Sequence, residues 1–242
     1  MSSNNFAADI HIELHDDLIS EFGWETEPWV SERLERVIGR LNATRSGNRP
    51  PLIAHSLSLP SCSAFTTPTT NIYVSRRLME VLSSDDMVAM ILAHEIAHHD
   101  LGHLDLFEGA LKLIPRGVGG SLAVLTFRLF EDQFYGPERE AAADLFAVDL
   151  CGKAGYNVER CIQAFTKLEQ EHLNAGDIDG VYGPENLLDP TDPHQGSTAY
   201  AVQRWLWIRA HRYLPLHERR ARAIAHYEET KGGSGASSTE AQ

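Results

Sequence analysis

Residues 89–103 read AMILAHEIAHHDLGH and set two histidines around a glutamate inside an otherwise apolar run. Leucine would bury better at these positions, so the polar side chains need a reason. The run is the inner part of SSDDMVAMILAHEIAHHDLG, residues 83–102. That segment opens on Ser and Asp, good N-caps, and closes at Gly102, a good C-cap, so it reads as one helix. His94 and His98 then lie about 40° apart around the axis, with Cβ atoms roughly 6 Å apart, one turn above the other. Two imidazoles so placed converge on one ion with Zn–N distances of about 2.0 to 2.1 Å. Glu95 follows His94 and reaches a water held in the ion's open position. This is the H-E-x-x-H arrangement, whose glutamate is the general base of a metallopeptidase. The neighbours Ile91, Leu92, Ile96 and Ala97 bury the helix, which dries the site and strengthens its electrostatics. A chance occurrence of the spacing would fall more often on an exposed, polar segment.

A catalytic zinc takes three protein ligands and leaves a fourth position open. One class of site finds the third through H-E-x-x-H-x-x-G-x-x-H. The register fails here, because the third residue after His98 is Leu101 and the sixth is Leu104. Gly102 and His103 are each out by one, and His99 points off the His94/His98 stripe, which suits a solvated side chain. The next strong helical segment, PEREAAADLFAVDL (137–150), carries Glu140 and Asp144 on one face with only alanines between them. Like charges four apart repel by a few tenths of a kcal/mol on an ordinary helix, roughly, and a nearby cation reverses that sign. The alanines would let this helix approach the histidine helix closely. Glu140 is therefore the expected third ligand. Asp144 is expected behind the site, accepting a ring N–H from a zinc histidine and fixing its tautomer. The competing reading is a pair of exposed acids on a solvated helix.

Around these two segments the chain reads as mainly helical with a small sheet. WVSERLERVIGRLN (29–42) places Val30, Leu34, Val37, Ile38 and Leu41 on one stripe. TRSGNRPP breaks the chain, and LIAHSLSLP and NIYVS then suit strands, with TTPTT as a turn between CSAF and NIYVS. This predicts a small antiparallel sheet at about 50–75, with a hairpin. The catalytic helices span about 84–152, and VERCIQAFTKLEQEHLN is a further amphipathic helix. Residues 175–198 read as loop, AYAVQRWLWIRAHRYL and LPLHERRARAIAHYEE as helices, and 231–242 as a disordered tail after a single domain at 1–230.

The 242 residues carry a formal net charge of −13, with the acids spread along the chain. Nucleic acid and anionic membrane surfaces both need clustered Lys and Arg, so neither is an expected partner. Cys62, Cys151 and Cys161 are an odd set without a C-x-x-C pair, which suits free thiols in a reducing compartment. The start has no signal-peptide pattern. The greasiest window, 111–130, is broken by Lys112, Pro115, Arg116 and Arg128, so a buried segment is expected, with a membrane-dipping hairpin as the alternative. The expected location is the cytoplasm.

The run SAFTTPTTNIYVSRRLMEVLSSDDMVAMILAHEIAHHDLGH, followed by REAAADLFAVDLCGKAGYNVERCIQAF, resembles the HtpX-type and CAAX prenyl protease family of zinc peptidases. The shared features are L-A-H-E-x-x-H with a further His five residues on, R-x-x-x-A-A-D or a close variant, and an A-G-Y turn. The resemblance implies a mainly helical gluzincin fold of the zincin type, endopeptidase activity and one zinc ion per chain. It makes His94 and His98 ligands, Glu95 the base, Glu140 the third ligand and Asp144 its supporting acid. The family's Asn-Ala-Phe segment falls on Ser63, Ala64 and Phe65, where an edge strand beside the metal would hold an extended peptide by main-chain hydrogen bonds. Serine stands where the family has asparagine. The family's C-terminal His-Pro and following Arg have as their nearest counterparts Tyr213 and Arg219 in YLPLHER. Tyr213 is a candidate oxyanion donor or a core residue, with His194, His211 and His217 as rivals. The alternatives to a soluble peptidase acting on peptides or unfolded proteins are a non-catalytic, zinc-braced peptide-binding protein and a membrane-surface protease.

Overall fold

A computed structural model describes residues 14–16, 18–20, 22–59, 61–105, 136–175 and 215–235. In chain order the elements are α1 (Pro28–Asn42), β1 (Ile53–Leu57), β2 (Ala64–Thr66), β3 (Asn71–Ser75), α2 (Arg76–Val81), α3 (Asp85–Asp100), α4 (Gly136–Lys153), α5 (Val158–Ala175) and α6 (Leu216–Gly235). The architecture is α+β and mainly helical. α1 begins on Pro28, whose fixed φ suits a first turn, and buries the expected stripe of Val30, Leu34, Val37, Ile38 and Leu41. Fully burying each such side chain stabilises the fold by ~1.5–3 kcal/mol.

The sheet has the order β1-β3-β2. β2 and β3 form the expected antiparallel hairpin, with Phe65 opposite Tyr73. β1, however, runs parallel to β3, with Ile53 opposite Asn71 and Leu57 opposite Ser75, so the sheet is mixed rather than wholly antiparallel. The reason lies in β3, where Ile72, Tyr73 and Val74 are all buried. A strand apolar on both faces belongs in the middle of a sheet. The chain leaving β1 therefore reaches the far edge first, forms β2, and returns between them.

Ile72 and Val74 of β3, with Leu52 ahead of β1, join one hydrophobic core with α1, α3, α4 and α5, and that core reaches Leu216 and Ala223 of α6. On the other face Tyr73 stacks on Phe65 at 5.1 Å and bonds His15 Nδ1 through its hydroxyl at 2.7 Å. α3 is the central helix, buried from Met87 to Ala93 with Ile91 half-buried. Ser84 caps it by accepting from the Met87 N–H, and Asp85 and Asp86 sit in its first turn, where the helix dipole favours anions. α6 runs on to Gly235, five residues into the segment expected as a tail. Ala175, the first residue of the expected 175–198 loop, closes α5, and residues 111–130, the rest of that loop (176–198), His194, His211 and Tyr213 lie outside the described residues. Among the described residues, no helix is long and apolar enough to cross a membrane.

Candidate metal centre

α3 and α4 pack directly against each other, and both helices carry buried small residues. Ala89, Ala93 and Ala97 on α3, with Ala143 and Ala147 on α4, are all fully buried. Ala142 is exposed, so of the three alanines between Glu140 and Asp144 only Ala143 takes a full part in the close approach. Spacing along α4 puts Glu140, Ala143, Asp144 and Ala147 on the face turned to α3.

The result is a cluster of three buried donors, His94, His98 and Glu140. His94 Nε2 lies 3.0 Å from His98 Nε2. Glu140 Oε2 is 3.3 Å from His94 Nε2, and its Oε1 is 3.4 Å from His98 Nε2. A tetrahedral ion with ligand bonds of about 2.1 Å has ligand–ligand edges of about 3.4 Å. Edges of 3.0, 3.3 and 3.4 Å fit one face of that tetrahedron. Two imidazoles and one carboxylate are also the donor set that zinc takes in open sites.

Each imidazole is held from behind. His94 Nδ1 lies 2.9 Å from Asp144 Oδ1, and His98 Nδ1 lies 2.9 Å from His103 Nδ1. With a metal on both Nε2 lone pairs, each Nδ1 would carry the proton and donate outward, which would fix ring and tautomer together. His103 is the residue that register arithmetic set aside. It does not enter the ligand set, yet it is buried at the site. The chain brings it there by a helix stop in which the His103 N–H donates to the His98 carbonyl at 2.9 Å and the Gly102 N–H to the His99 carbonyl at 3.2 Å. That pair of bonds is a Schellman motif, and it needs a left-handed residue, here Gly102 at φ +70°. The legible signal was the pair Gly102-His103 directly after the helix.

Arg219 comes from α6. Its Nε and Nη2 form a fork on Asp144 at 2.8 and 2.7 Å, and its Nη1 lies 3.3 Å from Glu140 Oε2. The arginine singled out by resemblance is thus brought to the centre, through the two carboxylates. His217, on the same helix, is more than half exposed and faces Glu169 at 4.0 Å, away from the site.

The charges respond strongly to this packing. In the metal-free protein burial by itself disfavours a charged His94, but Glu140 and the Asp144 hydrogen bond override it and raise its pKa to about 10. Burial drives His98 well below its ordinary value, and the neighbouring His94 adds to the effect. Glu140 and Asp144 are both depressed despite burial, Glu140 chiefly by His94 and Arg219, Asp144 chiefly by Arg219. Glu95 is the exception among the acids, since burial lifts its carboxyl to about 7. Of two adjoining buried glutamates, one is therefore held firmly as an anion and the other is poised to exchange a proton near neutral pH.

The edge strand adjoins the metal helix. His99 is not solvated, as its position on the helix suggested. It is half-buried, and its Nε2 lies 2.6 Å from the Thr66 hydroxyl, which ties β2 to α3. Burial, then Arg45, lower its pKa to about 4. Ser63, Ala64 and Phe65 lie at and just before β2. The Ser63 carbonyl accepts from the Ser75 N–H at 2.9 Å, and the Thr67 N–H donates to the Asn71 carbonyl at 3.3 Å. By alternation, residues 63, 65 and 67 bond to β3, and Ala64 and Thr66 turn their main-chain groups to the other edge.

A two-histidine, one-glutamate centre shared between two packed helices, with a buried glutamate beside it, defines a metal-dependent hydrolase. The family model for peptidase family M48 matches residues 25–228, and the chain belongs to that family of zinc metallopeptidases, of which the HtpX-type enzymes are members. A comparison with curated proteins finds no match.

Proposed function

We propose that this protein is a zinc-dependent endopeptidase of the gluzincin type, binding one zinc ion per chain through His94, His98 and Glu140. The observation that carries the reading is the triangle of donor atoms with edges of 3.0, 3.3 and 3.4 Å, which suits a tetrahedral ion with a fourth corner left over. Zinc at this position supplies the Lewis acidity that makes water acidic near pH 7, roughly.

The chain's own residues supply the remainder. Glu95, with its carboxyl lifted to about 7 by burial, takes the proton of the attacking water and hands it to the leaving amine nitrogen. Asp144 and His103 hold the two imidazoles in the ligating tautomer. Arg219 offsets part of the charge of the two carboxylates and fixes Asp144 in place. The outward main-chain groups of Ala64 and Thr66 bind an extended peptide as an added antiparallel strand, in which each pairs with one substrate residue. The substrate class is peptides or unfolded protein, because an added strand requires an extended chain.

Glu95→Gln is the decisive variant. It removes the base and leaves all three ligand atoms in place, so zinc content should stay near one per chain while casein and peptide cleavage fall by 10²-fold or more, roughly. Turnover by a pure, zinc-loaded Glu95→Gln protein would end the assignment.

A further inference from the structure

The two edges of the sheet are treated differently. Along β1 the edge is closed. The Asn42 amide donates to the Leu52 carbonyl at 2.8 Å and accepts from the Leu52 N–H at 3.0 Å. Further on, the Glu25 N–H donates to the Ser56 carbonyl at 3.1 Å and the Ser58 N–H to the Gly23 carbonyl at 3.0 Å. β2, the opposite edge, has only three residues, and its ladder partner among the described residues is β3. So short a strand, paired on one side, is marginally ordered by its ladder alone. A second hold therefore decides how well it presents its main chain.

That hold comes from the metal helix. Thr66 pairs with Ile72, so its side chain lies on the face of the sheet that joins the core with α3. Thr66 Oγ1 is 2.6 Å from His99 Nε2 and 3.2 Å from the Asn71 carbonyl. A carbonyl only accepts, and the hydroxyl has one proton. Both bonds exist together when Thr66 donates to Asn71 and His99 Nε2–H donates to Thr66. His99 follows the ligand His98, about 100° around the helix, so α3 turns one imidazole to the metal and the next to the strand. Beyond His99, Arg45 grips Asp100 in a buried fork at 3.1 and 2.6 Å. The end of α3 that holds β2 is thus itself held by the loop after α1.

We infer that His99 is a positioning residue for peptide binding, which acts through Thr66 to fix β2 in the conformation that accepts the substrate strand. This rests on the peptidase reading above and adds a residue which that reading does not use. An edge ordered in advance spares the bound peptide the cost of ordering it, so the effect falls on KM.

The test uses full-length, zinc-loaded protein and one peptide that the wild type cleaves. His99→Leu should raise KM by about three- to tenfold, the worth of one hydrogen bond, with kcat within about twofold and zinc content unchanged. His99→Gln, whose amide nitrogen takes the place of Nε2, should restore most of the wild-type KM, and the shorter His99→Asn should not. These two variants decide the matter if His99→Leu fails to fold. The double variant His99→Leu/Thr66→Val should show the KM of either single variant, because both remove the same bond. Asn42→Ala opens the far edge of the sheet and controls for general loosening: it should lower the melting temperature and leave KM within about twofold. The inference is overturned by an unchanged KM in His99→Leu, by KM factors that multiply in the double variant, by no rescue with Gln, or by an equal KM rise in Asn42→Ala. If the wild type cleaves nothing, the peptidase reading fails by itself. Fluorescence anisotropy of labelled, unfolded casein on Glu95→Gln protein then takes the place of KM. Binding weakened by His99→Leu and restored by His99→Gln upholds the role of His99, and binding that is unaffected or missing rejects it.

Discussion

Asp144→Asn isolates what the protein does for its metal without touching a ligand atom. The carboxylate is 1% exposed and accepts three bonds, two from Arg219 at 2.8 and 2.7 Å and one from His94 Nδ1 at 2.9 Å. Asparagine has the same shape but a single acceptor oxygen. Placed at the Oδ1 position, that oxygen keeps the bonds to His94 and Arg219 Nη2, and the amide then sets its N–H groups against Arg219 Nε. One charge-assisted bond is lost and a buried guanidinium loses its nearest counter-ion. Those losses are about 1.5–3 kcal/mol for the bond and up to about 3–5 kcal/mol if the pair is fully broken. A stability loss of about 3 kcal/mol lowers the melting temperature of a chain this size by roughly 6–12 °C. Loss of the carboxylate behind His94 should also weaken zinc binding by about 10- to 100-fold. Zinc competition against a chelator of known affinity, with calorimetric melting of the loaded and stripped protein, measures both. If zinc affinity stayed within threefold and melting within 2 °C, roughly, Asp144 would be a bystander and the reasoning would fail.

His103→Ala should act in the same direction at the other imidazole, weakening zinc binding by about tenfold while the three ligands remain. Unchanged affinity in the same competition assay would remove it from a positioning role. Thr66→Val takes away the bond to His99 at 2.6 Å and should cost about 1–3 kcal/mol. It should raise KM more than it lowers kcat, and a pure kcat effect would show that β2 does not hold the peptide. Stripping the metal should create a pH dependence that the loaded protein lacks. His94 has a folded pKa of about 10 against 6.5, so its stabilising contribution is complete below 6.5 and is lost as pH climbs towards 10. Glu95 works in the same sense between 4.5 and about 7. At one proton, the loss is up to about 2.7 kcal/mol from pH 7 to 9. Urea midpoints of the chelated protein should fall over that range, and a flat or rising profile would contradict the buried ion pair. Glu140→Ala should abolish zinc stoichiometry, measured by metal analysis of the dialysed protein.

The sequence by itself determined what is local. An i, i+4 pair on a capped helix has its geometry set by the helix, so His94, Glu95 and His98 were legible as a unit. Glu140 and Asp144 were legible as a misplaced pair of like charges, and the stripe of α1 as a buried face. Arg219 was visible only through resemblance, since nothing in the pattern of α6 sets it apart from Arg220 or Arg222. Tertiary structure decided the rest, because each remaining feature is a meeting of distant segments. The parallel docking of β1 depends on which strand takes the middle of the sheet, and that depends on burial from both sides. His103 reaches His98 through the left-handed turn at Gly102, which shifts it out of helical register. His99 finds Thr66 because β2 lies over α3. Helical periodicity records which residues share a face. Which two faces meet, and so which charges lose their water together, is fixed only by packing the whole chain.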